Sequence, residues 1–342
     1  MTAPDADPRR LRVVARARTA VGRQRSDNQD AFSLLGLGGD AAGDGTPGGD
    51  VVPDLSGVGD PAHAGDAEGA GGLDAWSLVP SSARLDGGEG GALLLVADGM
   101  GGAAAGEVAS RLAVTTVEEV VAARWPRDGR HASGAAEAEA LSELMREAVA
   151  TANDRIHEWS DRHAEYRGMG STLTAVGVVG RRAVVAQVGD SRAYLVRDGR
   201  PVQLTEDQTV AQKLVESGSM DPEEARKSGQ AHVLLQALGT EPEVRPEVET
   251  HDLRPGDRLL LCTDGLSQTV PGPELAEVLA GDAGLDAAAE RLIERANAGG
   301  GPDNITVLLA RLTAAAGRAP GTRTPASPTP GPETPAGPAP GS

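Results

Sequence analysis

The chain reads as an α+β fold in which mostly antiparallel β-structure is covered by helices, and three observations predict it. Between Ser171 and Leu204, β-rich runs follow one another through the short turns Gly180-Arg-Arg, Gly189-Asp190-Ser191-Arg192 and Arg197-Asp198-Gly199-Arg200. That is the pattern of an antiparallel meander. Two consecutive amphipathic segments, Gly106 to Ala123 and Ala135 to Arg162, lie between strand-like runs and imply a helical layer packed on a sheet. Finally, Ala92 to Ala97 and Leu259 to Cys262 are apolar without alternation, as expected of strands buried on both faces.

Taken in order, residues 1–8 are expected to form a disordered leader. Leu11 to Val21 alternates well enough for a first strand carrying several arginines. Dense polar residues from Gly22 to Asp30 then suggest a loop whose side chains converge on something charged, with Arg25 and Asp30 as its candidates. Residues 38–91 hold sixteen glycines, ten acids and one arginine. Such a segment cannot bury enough apolar area to offset its ordering entropy. It is expected to be a mostly disordered insertion within one domain, rejoining the fold through a short strand at Trp76–Val79. It lacks an EF-hand spacing, so a calcium site is not expected.

The second amphipathic segment carries Leu141, Leu144, Met145, Val149, Ala152 and Ile156 on one side. Met145, Trp125 and Trp159 are read as core or edge packing. Residues 206–239 look helical and polar, broken at Gly218, Gly229 and Gly239, which suggests a mobile flap. Two short helices, about Pro273–Leu279 and Leu285–Ala298, precede a last strand at Ile305–Leu312. Eight prolines in the final twenty-three residues specify an extended tail. The expected organisation is one domain over residues 9–313, containing the 38–91 insertion, and a disordered tail at 314–342.

A formal charge of −18 argues against a general nucleic-acid binder and against an anionic membrane surface. The lone Cys262 lies in an apolar run and reads as a buried thiol. No 18-residue apolar span and no apolar signal region occur, so a cytoplasmic protein is expected.

Asp98, Asp190, Asp264 and Asp303 each sit beside glycine or proline at a strand boundary, and Asp30 follows the first strand. Any one of them alone is a turn residue. Repeated in separate strands, these ends can gather at one sheet edge, where close carboxylates would repel unless a multivalent cation compensates them. Oxygen ligands without His or Cys clusters point to magnesium or manganese, not zinc.

The ordered set Asp98-Gly99-Met100-Gly101-Gly102, Gly106-Glu107-Val108-Ala109-Ser110, Met169-Gly170-Ser171-Thr172, Gly189-Asp190-Ser191-Arg192, Cys262-Thr263-Asp264-Gly265 and Gly301-Pro302-Asp303-Asn304 resembles the motif set of the metal-dependent (type 2C, PPM) protein phosphatases of bacterial type. The resemblance implies an αββα sandwich, two central antiparallel sheets flanked by helix pairs. It implies two core Mn2+ or Mg2+ ions and a third, weaker one. Asp98 would bridge the core ions with the Gly99 carbonyl beside it, Asp264 and Asp303 would complete the first ion's shell, and Asp190 would hold the third. Arg25 would grip substrate phosphate, Asp30 would hold metal-bound water, and Asn304 would orient Asp303 or a water. The implied reaction is in-line attack of a metal-bridging water on phosphoserine or phosphothreonine, without a phosphoenzyme. The implied partners are phosphorylated proteins, such as Ser/Thr kinases or their substrates, met by a monomer.

The chain departs from the family pattern at Ala20, Gln29, Met100 and Ala103, and the flap lacks a His-Pro pattern. None of these removes a candidate core ligand. Met100 stands where relatives with a histidine place a general acid, so the leaving alkoxide would take its proton from water near Asp190. Three alternatives compete: a phosphatase-like binding module of weak activity, an acidic cation-binding or scaffold protein resting on the 38–91 insertion and the tail, and a small-molecule phosphomonoesterase.

Overall fold

The computed structural model describes residues 10–37, 81–88, 91–126, 134–281 and 283–315. The expected leader, most of the insertion with its Trp76–Val79 strand, and the tail beyond residue 315 lie outside the described residues. In chain order the elements are β1 (Leu11–Ala20), β2 (Asp30–Gly36), β3 (Ser82–Gly88), β4 (Ala92–Met100), α1 (Ala103–Arg124), α2 (Ala135–Arg162), β5 (Gly170–Ser171), β6 (Leu173–Val179), β7 (Arg182–Val188), β8 (Arg192–Arg197) and β9 (Arg200–Gln203). There follow α3 (Val210–Glu216), α4 (Pro222–Lys227), β10 (Glu247–Asp252), β11 (Arg258–Cys262), α5 (Asp264–Ser267), α6 (Gly272–Ala280), α7 (Leu285–Ala298) and β12 (Ile305–Ala314).

Two sheets stack. One has the strand order β3-β1-β12-β11-β8-β9, the other β10-β7-β6-β4-β2, with β5 paired to β4. All pairings among the described strands are antiparallel. The unbroken apolar runs are explained by burial on both faces. Along β4, Leu93, Leu95 and Ala97 pack under α1 and α2, whereas Ala92, Leu94 and Val96 face the other sheet. Along β11, Leu259 and Leu261 point into the space between the sheets, and Leu260 and Cys262 pack under α6 and α7. Three apolar layers result, the architecture of an αββα sandwich. Each fully buried leucine contributes about 1.5–3 kcal/mol relative to exposure.

Three details differ from the expectation. The run from β6 to β9 is not one meander: β6 and β7 belong to one sheet, β8 and β9 to the other. The corner falls at Gly189, whose φ of 97° suits a residue without a side chain. Second, β3 lies inside the segment expected to be unstructured; Ala83 and Leu85 alternate inward against the inter-sheet core, enough to pair it with β1. Third, residues 206–239 contain only the short helices α3 and α4, because their remaining backbone bonds go to loops, as in Val210 N–H to Val233 O and Leu235 N–H to Gln208 O. Trp125 and Met145 are core residues and Trp159 packs against the core, stacking on His163 at 4.5 Å. Among the described residues, no helix is long and apolar enough to cross a membrane.

Candidate active site

The five candidate aspartates meet at one edge because each is fixed by a neighbouring strand. Asp98, near the end of β4, stands directly opposite Asp30, the first residue of β2. Asp264 opens α5 two residues after β11, and Asp303 precedes β12. Those two strand ends are tied where Thr306 N–H donates to Thr263 Oγ1 at 3.0 Å. The sheets themselves are stitched at this edge: Asp30 Oδ2 accepts from Thr263 Oγ1 at 2.8 Å and from Thr306 Oγ1 at 2.7 Å. Hydrogen bonds to an ionised group contribute about 1.5–3 kcal/mol each. Asp190 joins through its neighbour. Ser191 Oγ lies 2.8 Å from Thr172 Oγ1, which accepts from the Asp98 N–H at 2.9 Å.

Gly99 is required by contact. A β-carbon there would lie 1.9 Å from the Gly106 carbonyl oxygen and 2.8 Å from that of Gln29. The close approach lets the Gly99 N–H donate to the Gln29 carbonyl at 3.1 Å, bringing the β1–β2 loop onto the Asp98 turn.

Electrostatically the edge is under-compensated. Burial pushes Asp30 up to about 7, with Asp264 and Asp303 adding to the rise and the two threonine bonds opposing it. Asp98 is raised well above the usual carboxylate range by burial, then by Asp30, Asp264, Asp303 and Asp190. Burial, then Asp264 and Asp207, raise Asp190 to about 7. Arg25 Nη2 sits 2.7 Å from Asp303 Oδ2. His232, from the flap, places Nδ1 3.9 Å from Asp264 Oδ2, and Gln268 Nε2 donates to that oxygen at 2.9 Å.

The residues fit a hard cation. The buried Oδ1 atoms of Asp30 and Asp264 have no hydrogen-bond partner, and the converging donors are oxygens. Among the described residues, no three or more acidic, histidine or cysteine side chains form a ready-made cage. Magnesium-type sites do not need one, since they retain several waters and use one or two carboxylates per ion. Asp303 is meanwhile turned to Arg25 and Asp264 to Gln268.

The structure brings Arg25, Asp30, Asp98, Gly99, Asp190, Asp264 and Asp303 to this edge. It assigns Asn304 differently from the expectation: its backbone N–H donates to Asp303 Oδ1 at 2.8 Å, but its side chain bonds the β1–β2 loop. The sequence reading quoted Thr172 and Thr263 within the motifs but gave neither them nor Thr306 a role. The last two had left a signal, as hydroxyls breaking otherwise apolar runs.

A double-sheet sandwich with carboxylates gathered at one edge defines a class of αββα proteins built around an acidic site. The family model "Protein phosphatase 2C" matches residues 74–309, and the chain belongs to that family. It is 43% identical to the serine/threonine protein phosphatase PstP of Mycobacterium tuberculosis over 64% of this chain, a match spanning only 40% of that relative. It is 36% identical to the serine/threonine phosphatase stp of Listeria welshimeri over 64% of this chain and 83% of that one. Among solved structures, the catalytic domain of PstP in complex with two manganese ions superposes with a TM-score of 0.62 at 32% identity, covering 89% of this chain and 99% of that domain.

Proposed function

We propose that this chain is a metal-dependent protein phosphatase that hydrolyses phosphoserine and phosphothreonine. The observation that carries this reading is the convergence of Asp30, Asp98, Asp190, Asp264 and Asp303, with Arg25 reaching Asp303 among them. The serine/threonine phosphatases among its relatives and the manganese ions of the PstP domain support it.

Asp98 and the Gly99 carbonyl would hold two core ions, Mn2+ or Mg2+. Asp264 and Asp303 would complete the first, and Asp190 would hold a third. When bound, such ions supply the Lewis acidity that makes water nucleophilic at neutral pH and offsets charge on the phosphoryl oxygens.

Around them, this chain's residues have separate tasks. Arg25 exchanges Asp303 for phosphate oxygens, forming charge-assisted bonds about twice as strong as neutral ones. Asp30 has Oδ2 fixed by Thr263 and Thr306, which leaves Oδ1 to orient a water. Met100 has no proton to give, so the leaving oxygen takes one from water at Asp190. The substrates are phosphorylated proteins, including Ser/Thr kinases or their targets, in the cytoplasm where ATP loads them.

Hydrolysis of p-nitrophenyl phosphate and a phosphothreonine peptide by the full chain tests the reading. Release of phosphate should require Mn2+ or Mg2+, stop with chelator, and vanish in Asp98→Asn. A folded wild-type chain that releases no phosphate with either ion would overturn it. Asp190→Ala should slow phosphopeptide turnover; unchanged turnover removes Asp190 from the proton path.

A further inference from the structure

Arg25 is carried by residues 21–29, which contain no helix or strand. The loop's position therefore depends on bonds made outside regular structure. Three of them lead to one side chain. Asn304 is 3% exposed. Its Nδ2 donates to the Val21 carbonyl at 2.9 Å and to the Asp27 carbonyl at 2.8 Å. Its Oδ1 accepts the Gln29 N–H at 2.8 Å. Both amide protons are thus spent on the two feet of the loop, on either side of Arg25. The Arg23 N–H adds a bond to the Gly301 carbonyl at 2.8 Å. The Arg25 side chain itself is 48% exposed, so local packing does not aim it.

We propose that Asn304 is the positioning residue for Arg25: it clamps both feet of the loop, so that the guanidinium is presented at the Asp303 edge with little freedom left to lose when phosphate binds. The proposal rests on the reading of Arg25 as the phosphate-gripping group. It departs from a role for the Asn304 side chain on Asp303, since that contact is made by the Asn304 backbone. The amide is specifically needed. An aspartate of the same shape would turn an oxygen toward the carbonyls of Val21 and Asp27, where two donors are required.

The test uses the full chain with Mn2+, reading inhibition by inorganic phosphate alongside KM and kcat for a phosphothreonine peptide. Arg25→Ala and Asn304→Ala should each raise the phosphate inhibition constant and KM about tenfold, with kcat changing less. Asn304→Asp should behave like Asn304→Ala despite its shape. In the double variant Arg25→Ala/Asn304→Ala the effects should not add, because one acts through the other. Additive effects would overturn the proposal. So would a loss of Mn2+ affinity, measured by calorimetry, in Asn304→Ala but not in Arg25→Ala, since that would place its action on Asp303. If Arg25→Ala leaves phosphate inhibition unchanged, the assignment of Arg25 itself is what fails. A measurement without any variant guards against misfolding: amide exchange of wild-type Gln29 should be strongly protected, and exchange at the rate of a free loop amide refutes the clamp.

Discussion

Asp30 and Asp98 are direct cross-strand partners in the β2–β4 ladder, two carboxylates face to face at the edge of a packed sheet. Like charges opposite one another destabilise a strand pair. The pairing is therefore a local cost to the fold, and a bound cation would remove it.

Asp98→Asn should make the metal-free protein more stable while abolishing hydrolysis. Relief of the repulsion is expected to contribute about 1 kcal/mol, or about 2–4 °C in a domain of this size. The stabilisation that Mn2+ gives the wild type should disappear in the variant. Thermal melts with chelator and with Mn2+ check both; a lower melting temperature for the variant in chelator would contradict the assignment of repulsion.

Metal-free stability should fall as pH rises. Asp30 and Asp190 have pKa values raised from 3.8 to about 7. Between those values the native state binds more protons than the unfolded chain, so the stability these two groups contribute is fully present below about 4 and is lost as pH rises to about 7. Saturating Mn2+ should flatten this profile by favouring the ionised forms. Melts in chelator from pH 5 to pH 8 provide the measurement, and a melting temperature that climbs across this range contradicts it.

Asp207→Ala should damage the approach to the site from a distance. Arg192 bonds Asp207 through Nε at 2.8 Å and Nη2 at 2.5 Å, and donates to Tyr194 Oη at 3.1 Å. This ties the turn of Asp190 to the start of the flap. Removing one partner strands a largely buried guanidinium, a loss of about 3 kcal/mol and of roughly 6–12 °C. A denaturant midpoint indistinguishable from wild type would show that the pair carries no such weight.

Gly99→Ala should be far more harmful than Gly272→Ala. The first drives a methyl group to within 1.9 Å of the Gly106 carbonyl, so the first turn of α1 must move; the second meets nothing within 4 Å. Overpacking of the first kind costs about 1–3 kcal/mol or more, against about 0.5 kcal/mol or less for the second. Comparative unfolding curves decide the matter.

What the sequence made legible was determined by how strongly each feature depended on local composition. Ala92–Ala97 and Leu259–Cys262 announce themselves because burial on both faces leaves no alternation to obscure, and the Asp-Gly steps at their ends marked the edge. α2 was visible to its exact bounds through the spacing of Leu141, Met145, Val149, Ala152 and Ile156. β10 was not seen, since Glu247-Val248-Glu249-Thr250-His251-Asp252 is an exposed edge strand made by pairing with β7. β3 was hidden for a similar reason, being a few alternating residues within glycine and acid. The placement of β8 in the sheet opposite β7 depends on which distant strand captures it, and no local pattern encodes that. The side-chain bonds of Asn304 depend on contacts spanning nearly the whole described chain.

β12, the last of the described strands, lies between β1 and β11 in the order of its sheet. A nascent chain that has not yet reached Asp303 holds two unpaired inner edges, which are templates for association with other chains. It also lacks Asp303 and Asn304. Folding of that sheet must await the closing of contacts between the first and last strands, the long-range kind that slows folding. Completion of the carboxylate edge and protection from aggregation are then acquired in the same late event.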